Sequence, residues 1–319
     1  MRFRPIRFVS YHLVMIISRR SFLTKSAMLA TLASLPAPIR GFGKSLNGLN
    51  FTPIRRGVGI FESRGGTIGW LVRPEALVVV DSQYPESAAV CLDGLKERSG
   101  RTIDLLINTH HHGDHTAGNA VLGADATHIL AHANVPELQR RAAEKNDSLG
   151  AQKYADVTFE EIWEESIGDE NIRISYFGAG HTSGDAIIHF QEADVVHMGD
   201  LVFNHRPAFI DLASGAETRN WIALLERAYK EFTDNTIFIF GHGNPTHGVL
   251  GTRDDLLAMA DYFVALRQTV SDGIRDGKTS DEIAAAGLEG FDSYKLNGSS
   301  DGIAGNLKVV YEEVTGTVE

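Results

Sequence analysis

The chain has 319 residues, 30 of them basic and 41 acidic, with a formal net charge of −11 and 43% hydrophobic residues. That length holds one large domain or two small ones, and the composition is that of an ordinary globular protein. Seven basic residues and no acidic one fall in the first forty positions, so the rest carries 23 basic against 41 acidic and stands at −18; nucleic acid is disfavoured as a partner, because duplex binding needs a basic face.

Within the leader, Ser18-Arg19-Arg20-Ser21-Phe22-Leu23 precedes the mildly apolar Ala27-Met28-Leu29-Ala30-Thr31-Leu32-Ala33-Ser34-Leu35 and then Pro36-Ala37-Pro38. Paired arginines ahead of such a segment look like a twin-arginine signal peptide; an amphipathic surface helix is the alternative. The expectation is a signal over 1–40 that engages the twin-arginine export machinery, and a periplasmic or secreted domain over 41–319. No later stretch approaches the ~20 apolar residues of a membrane span, so no stable span is expected after signal removal.

From position 58 the pattern is strands first, at 58–62, 67–72 and 76–80, separated by the turn signals Arg64-Gly65-Gly66 and Arg73-Pro74-Glu75. Asp81 ends the third strand, and reads either as a cap or turn residue or as a carboxylate that orients a metal ligand. A helix follows at 85–98 with proline near its start. It contains the single cysteine, Cys91, which excludes an intramolecular disulfide and reads as a buried small hydrophobe. The apolar run at 103–108 is a buried strand, too brief for a helix. Another strand is expected at 127–131, a helix at 134–145, and a polar surface loop at 147–156. Strands at 172–177, 186–190 and 195–197 follow, the last two joined by a hairpin turn at 191–194. The stretch 201–216 lacks periodicity. Helices are expected at 217–232, 252–270 and 281–288, the last capped by Ser280, with a strand at 237–240 and a helix or strand at 307–314. This order implies the α/β class: two packed sheets with helices outside, built from similar halves at 51–160 and 161–319. A helical C-terminal extension begins near 251.

The chemistry centres on Thr109-His110-His111-His112-Gly113-Asp114-His115, at the carboxyl end of a strand, where open α/β sheets usually place their sites. Alternate residues of an extended chain project to one side, so His110 and His112 can share an ion while His111 points away. Asp114 and His115, past the turn at Gly113, can face a second ion. Three further candidates repeat the setting of a strand end beside small residues: Gly180-His181-Thr182, Gly199-Asp200, and Gly241-His242-Gly243. That repetition argues that they converge. His205 and Arg206, on the loop after Asp200, are candidates for substrate contact, Arg206 by pairing with a substrate carboxylate. Trp70 reads as core.

The ordered set His110-x-His112-x-Asp114-His115, His181, Asp200 and His242 resembles the metallo-β-lactamase superfamily over roughly residues 55–250, with Asp81 at the family's early aspartate. The resemblance implies an αββα sandwich of two mixed sheets with a binuclear zinc site. By that match His110, His112 and His181 hold the first zinc, Asp114, His115 and His242 the second, and Asp200 bridges both. Imidazole and carboxylate ligands without thiolate suit two Zn²⁺ per chain, with Fe or Mn as alternatives. The expected reaction is attack by a metal-bridging hydroxide on a carbonyl of a small-molecule substrate, with Asp114 orienting the nucleophile.

Departures from the family pattern narrow the choice. The family's β-lactamases carry cysteine or serine where Asp200 stands and often a lysine shortly after it, and 201–206 has none. The sequence after His242 differs from that of the glutathione-thioester hydrolases. A lactonase, esterase or amidase with weak lactamase activity is the expected enzyme. A non-catalytic periplasmic metal-binding accessory protein and a mono-iron, oxygen-using enzyme of the same fold are the alternatives.

Overall fold

The computed structural model describes residues 50–296 and 301–317; the signal expected at 1–40 lies outside them. The first half builds one seven-stranded sheet in chain order. Strands β1 (Phe51–Arg55), β2 (Val58–Phe61), β3 (Ile68–Val72) and β4 (Leu77–Val80) form an antiparallel meander, and β5 (Ile103–Ile107), β6 (Ala126–His132) and β7 (Val157–Phe159) continue it in parallel. Parallel neighbours need crossovers. These are α1 (Pro85–Arg98), then α2 (Gly113–Thr116) with α3 (Asn119–Asp125), and α4 (Val135–Lys145).

The second half repeats the plan with β8 (Ile162–Ile167), β9 (Glu170–Ser175), β10 (Ile187–Phe190) and β11 (Val195–His197). After β12 (Phe203–Asn204) and α5 (Thr218–Glu231) come β13 (Ile237–Ile239), β14 (His242–Gly243) and β15 (Leu250–Gly251). The second sheet runs β15-β13-β11-β10-β9-β8, while β12 and β14 pair with each other alone. Helices α6 (Arg253–Arg275), α7 (Ser280–Ala286) and α8 (Asp301–Thr315) complete the described chain.

Alternation along β4 sets the layers. Val78 and Val80 pack against Ile172, Ile174, Ile188 and Val195 between the two sheets, whereas Leu77 and Val79 pack against Cys91 and Leu95 of α1. On the far face, Val196 and Phe238 meet Trp221, Leu224 and Leu225 of α5 and Met259 and Phe263 of α6. Each such side chain contributes about 1.5–3 kcal/mol on full burial. The result is the αββα sandwich expected from the sequence. Helices α7 and α8 join the same outer core through Ile283, Ile303 and Leu307. From α8, the Asn306 amide donates to Ala208 O (2.8 Å) and accepts from Tyr262 Oη (2.7 Å).

Several local expectations need correction. Strands β1, β7 and β8 and the short helices α2 and α3 were not anticipated, and 307–314 belongs to a helix. The cap of α7 is Thr279, not Ser280, because Thr279 and Glu282 form a reciprocal capping box. The stretch 147–156 is a surface segment, as expected, and is tied down: Asp156 accepts from Ile129 N (2.6 Å), and Lys153 reaches Gly123 O. Trp70 and Cys91 are buried, as expected.

Candidate metal centre

The seven candidate ligands converge where the ends of β5, β9, β11 and β13 meet. His110 and His112 lie on the loop after β5, and Asp114 and His115 on α2. His181 sits on a turn after β9, where the Asp185 carboxylate accepts from Gly180 N (3.2 Å), Thr182 N (2.9 Å) and Thr182 Oγ1 (2.7 Å). Asp200 follows Gly199, whose φ of 53° suits glycine. His197 lies buried beneath it. Its Nε2–H donates to Thr67 O (3.1 Å), and its Nδ1 accepts from Gly199 N (3.1 Å). His242 lies on β14 with its ring stacked on Phe203 at 5.5 Å.

Three ring nitrogens close one set: His110 Nε2 and His181 Nε2 lie 3.0 and 2.8 Å from His112 Nδ1. The partner of each ring's outer nitrogen assigns its tautomer. His181 Nδ1–H donates to Phe209 O (2.7 Å), and His112 Nε2–H donates to Asp211 Oδ2 (2.8 Å). Thr109 Oγ1 gives its proton to Asp81 Oδ2 (2.8 Å), so it accepts from His110 Nδ1–H (3.0 Å). With those tautomers the three inner nitrogens present lone pairs to one another, an arrangement that suits a bound cation. Burial, with neighbouring rings beside them, pushes His181 down to about 3 and His110 well below the usual imidazole range.

The second set pairs rings with carboxylates. His242 Nε2 lies 3.1 Å from Asp114 Oδ2 and 3.4 Å from Asp200 Oδ2; His115 Nε2 lies 3.1 Å from Asp200 Oδ1 and 3.6 Å from Asp114 Oδ2. Buried His115 Nε2 and Asp200 Oδ1 have no hydrogen-bond partner. Burial opposes charge on these rings, but Asp200 and Asp114 prevail, raising His242 to about 9 and His115 well above the imidazole range. Asp114, which burial alone would raise, is brought down to about 2 by His115 and His242. Asp200 also reaches the first set, with Oδ2 3.7 Å from His181 Nε2 and 4.0 Å from His110 Nε2. The donors present thus fit two divalent ions with a carboxylate between them.

Asp81 is fully buried at a φ of 66°. It accepts from Thr109 N (2.8 Å), Thr109 Oγ1 (2.8 Å) and His115 Nδ1 (2.7 Å), so it sits behind the rings of both sets. Of the two sequence readings, the structure places it at a candidate ligand. Arg206 reaches the cleft beside the site, a cavity of about 380 Å³ walled by Tyr84, Phe203 and Phe209. His205 does not line that cleft. A φ of 50° turns it away, and its ring stacks on His247 at 3.7 Å with Nε2 3.5 Å from Asp255 Oδ1. His111 also points away from the two sets, with Nε2 3.2 Å from Ser214 Oγ.

Sequence reasoning missed Asp211, Phe209 and Thr109, which fix three of the rings from behind. Asp211 and Phe209 carry no motif, Thr109 opens the histidine motif without revealing its role, and Asp211 meets His112 across 99 residues of chain.

Comparison with known proteins identifies the family. A "Probable metallo-hydrolase" of Methanocaldococcus jannaschii is 27% identical over 194 residues, covering 58% of this chain and 88% of that protein. A type 2 metallo-beta-lactamase of Elizabethkingia meningoseptica is 23% identical over 183 residues, covering 54% of this chain and 67% of that protein. The fold superposes on a stereoselective inverting sec-alkylsulfatase from Pseudomonas with a TM-score of 0.63 at 15% identity, over 85% of this chain; the match spans 51% of the sulfatase. Residues 64–259 match the metallo-beta-lactamase superfamily, and the chain belongs to it.

Proposed function

We propose that the protein is a two-metal hydrolase acting on a small-molecule carbonyl substrate of the lactone, ester, amide or β-lactam class, with zinc as the native metal. The observation that carries this reading is the inward convergence of three histidine lone pairs beside a second, carboxylate-rich set, with Asp200 between them. His110, His112 and His181 would hold one ion, Asp114, His115 and His242 the other, and Asp200 would touch both. Ions so held supply Lewis acidity, generating a nucleophile from water near neutral pH and neutralising charge on the substrate oxygen.

The remaining steps belong to the chain. Asp114 faces the cleft as an ionised carboxylate, placed to accept a hydrogen bond from the attacking water and hold its orientation. Arg206, whose buried Nε has no partner, is placed to pair with an anionic group on the substrate. Tyr84, Phe203 and the exposed Phe209 offer aromatic faces to the apolar part and exclude water around it. The paired arginines near the N-terminus support export to the periplasm or beyond as a folded cargo.

The test is turnover by zinc-reconstituted protein on a panel of lactones, aryl esters, β-lactams, thioesters and, because the fold match to the sulfatase is extensive, a secondary alkyl sulfate. Turnover of a carbonyl class that is lost in Asp114→Asn supports the reading. Turnover of the sulfate alone replaces the carbonyl with a sulfur centre. No turnover despite two bound ions favours an accessory role.

A further inference from the structure

The segment from Arg206 to Ser214 lies over one side of the candidate centre, and its contacts there are unevenly distributed. Phe209 O accepts from His181 Nδ1 (2.7 Å), and Asp211 Oδ2 accepts from His112 Nε2 (2.8 Å). Both rings belong to the same set. Asp211 is itself steadied by Ser214 N, which donates to its Oδ1 (3.2 Å) and to its backbone oxygen (3.1 Å). The other set is supported differently. His115 is fixed by Asp81, a fully buried residue at the end of a core strand. Asp211 instead stands on a loop that carries Phe209, which is 56% exposed, between Ala208 and Ile210, both buried in the outer core.

His115 is thus braced from a core strand, and His112 and His181 together from one loop strap. Displacing that strap would take the outer acceptors from His112 and His181 at once, and with them the tautomers that point lone pairs inward. His110 keeps its partner Thr109, which Asp81 holds.

We infer that Asp211 is the positioning residue for the His110–His112–His181 set, fixing the His112 tautomer from the strap that also holds His181. The inference rests on the two-metal reading above. Outer-shell carboxylates of this kind typically change metal affinity by 10–100-fold, and here the change falls on one position only.

The experiment uses zinc-loaded wild type, Asp211→Asn and Asp211→Glu. Zinc affinity is measured by competition with a chromophoric chelator, and the surviving ion is located by anomalous diffraction at the zinc edge in chelator-treated crystals. The expected result is two ions in wild type. Asp211→Asn should bind the ion among His110, His112 and His181 roughly 10–100-fold more weakly and leave the other unchanged. Asp211→Glu, which restores a carboxylate acceptor, should recover most of the loss, and a wild-type melting profile in saturating zinc shows that the fold is intact. Equal loss from both positions in Asp211→Asn, loss confined to the Asp114–His115–His242 set, or Asn affinities equal to wild type would overturn the inference while leaving the two-metal reading standing. A wild type that binds no divalent ion overturns both.

Discussion

Replacing Asp81 tests whether a single buried carboxylate holds rings of both sets. In Asp81→Asn the shape is kept and the Thr109 N–H retains an oxygen acceptor. The new amide, however, presents N–H toward His115 Nδ1, which lies 2.7 Å from the replaced oxygen and already carries a proton. Donor meets donor, so His115 must either lose that bond or move its proton to Nε2, the atom that faces the candidate metal position. Losing a charge-assisted bond and leaving a buried donor unmatched together cost about 3–5 kcal/mol. The backbone adds a second, separable contribution. At a φ of 66°, alanine keeps the strain that glycine releases, so Asp81→Gly should exceed Asp81→Ala in stability by about 1 kcal/mol although both lack the carboxylate. Urea denaturation followed by circular dichroism, with and without saturating zinc, measures both effects. Zinc stoichiometry near one per chain in Asp81→Asn would accompany the stability loss. An Asn variant within about 0.5 kcal/mol of wild type, carrying both ions, would refute the reasoning.

Other consequences follow from the same geometry. A Cβ at Gly66 would enter the His115 ring, so Gly66→Ala should displace that ring and lower zinc content without unfolding the sandwich, as near-ultraviolet circular dichroism would show. Zinc loading should release protons at the carboxylate-rich set, where His242 is held protonated up to about 9, whereas His181 is already neutral above about 3. Calorimetric titration in two buffers of different ionisation enthalpy should therefore detect proton release on zinc binding, with affinity rising as pH rises toward 9. In chelator-treated protein the raised His242 pKa contributes stability that is full below 6.5 and fades as pH passes about 9, so its unfolding midpoint should fall across that window. Arg206→Ala should raise KM for an anionic substrate roughly 10–100-fold with kcat little changed; an equal effect on an uncharged analogue would remove Arg206 from recognition. Burial pushes the Cys91 thiol well above its ordinary range, so thiol alkylation should report global unfolding and be negligible in the native state.

How much of this was legible depended on whether a residue's setting was local. Strand β4 announces itself as Leu77-Val78-Val79-Val80 because both its faces are buried. Strand β8, Ile162-Trp163-Glu164-Glu165-Ser166-Ile167, sits at the sheet edge with a mostly exposed pattern and gives no such signal. The candidate ligands could be read because each follows a strand end beside glycine, a pattern the backbone needs in order to bring the side chains together. Gly241 shows the need directly, since a Cβ there would strike Asp200 Oδ1. Asp211 could not be read, because its setting is created by His112 at 99 positions' distance inside a stretch without periodicity. His205 and Arg206 are neighbours in sequence, yet the left-handed turn at His205 sends only Arg206 to the cleft. The α7 cap was readable in principle: Thr279 has Glu three residues on, whereas Ser280 has Ile283.

Asn306 bears on where this protein can safely be cut or altered. It lies on the last described helix, well past residue 259 where the family match ends, and it carries no metal-binding atom near the centre. Yet its amide grips the Ala208 carbonyl, one residue before the strap's exposed phenylalanine, while its oxygen is steadied by Tyr262. The C-terminal helices therefore act as an abutment for the strap. A chain trimmed to the matched region would lose more than the apolar cover over Phe238 and Trp221. It would also lose the anchorage of the segment that braces His112 and His181, and a defect made there would be read, by anyone assaying turnover, as a fault in the ligands themselves.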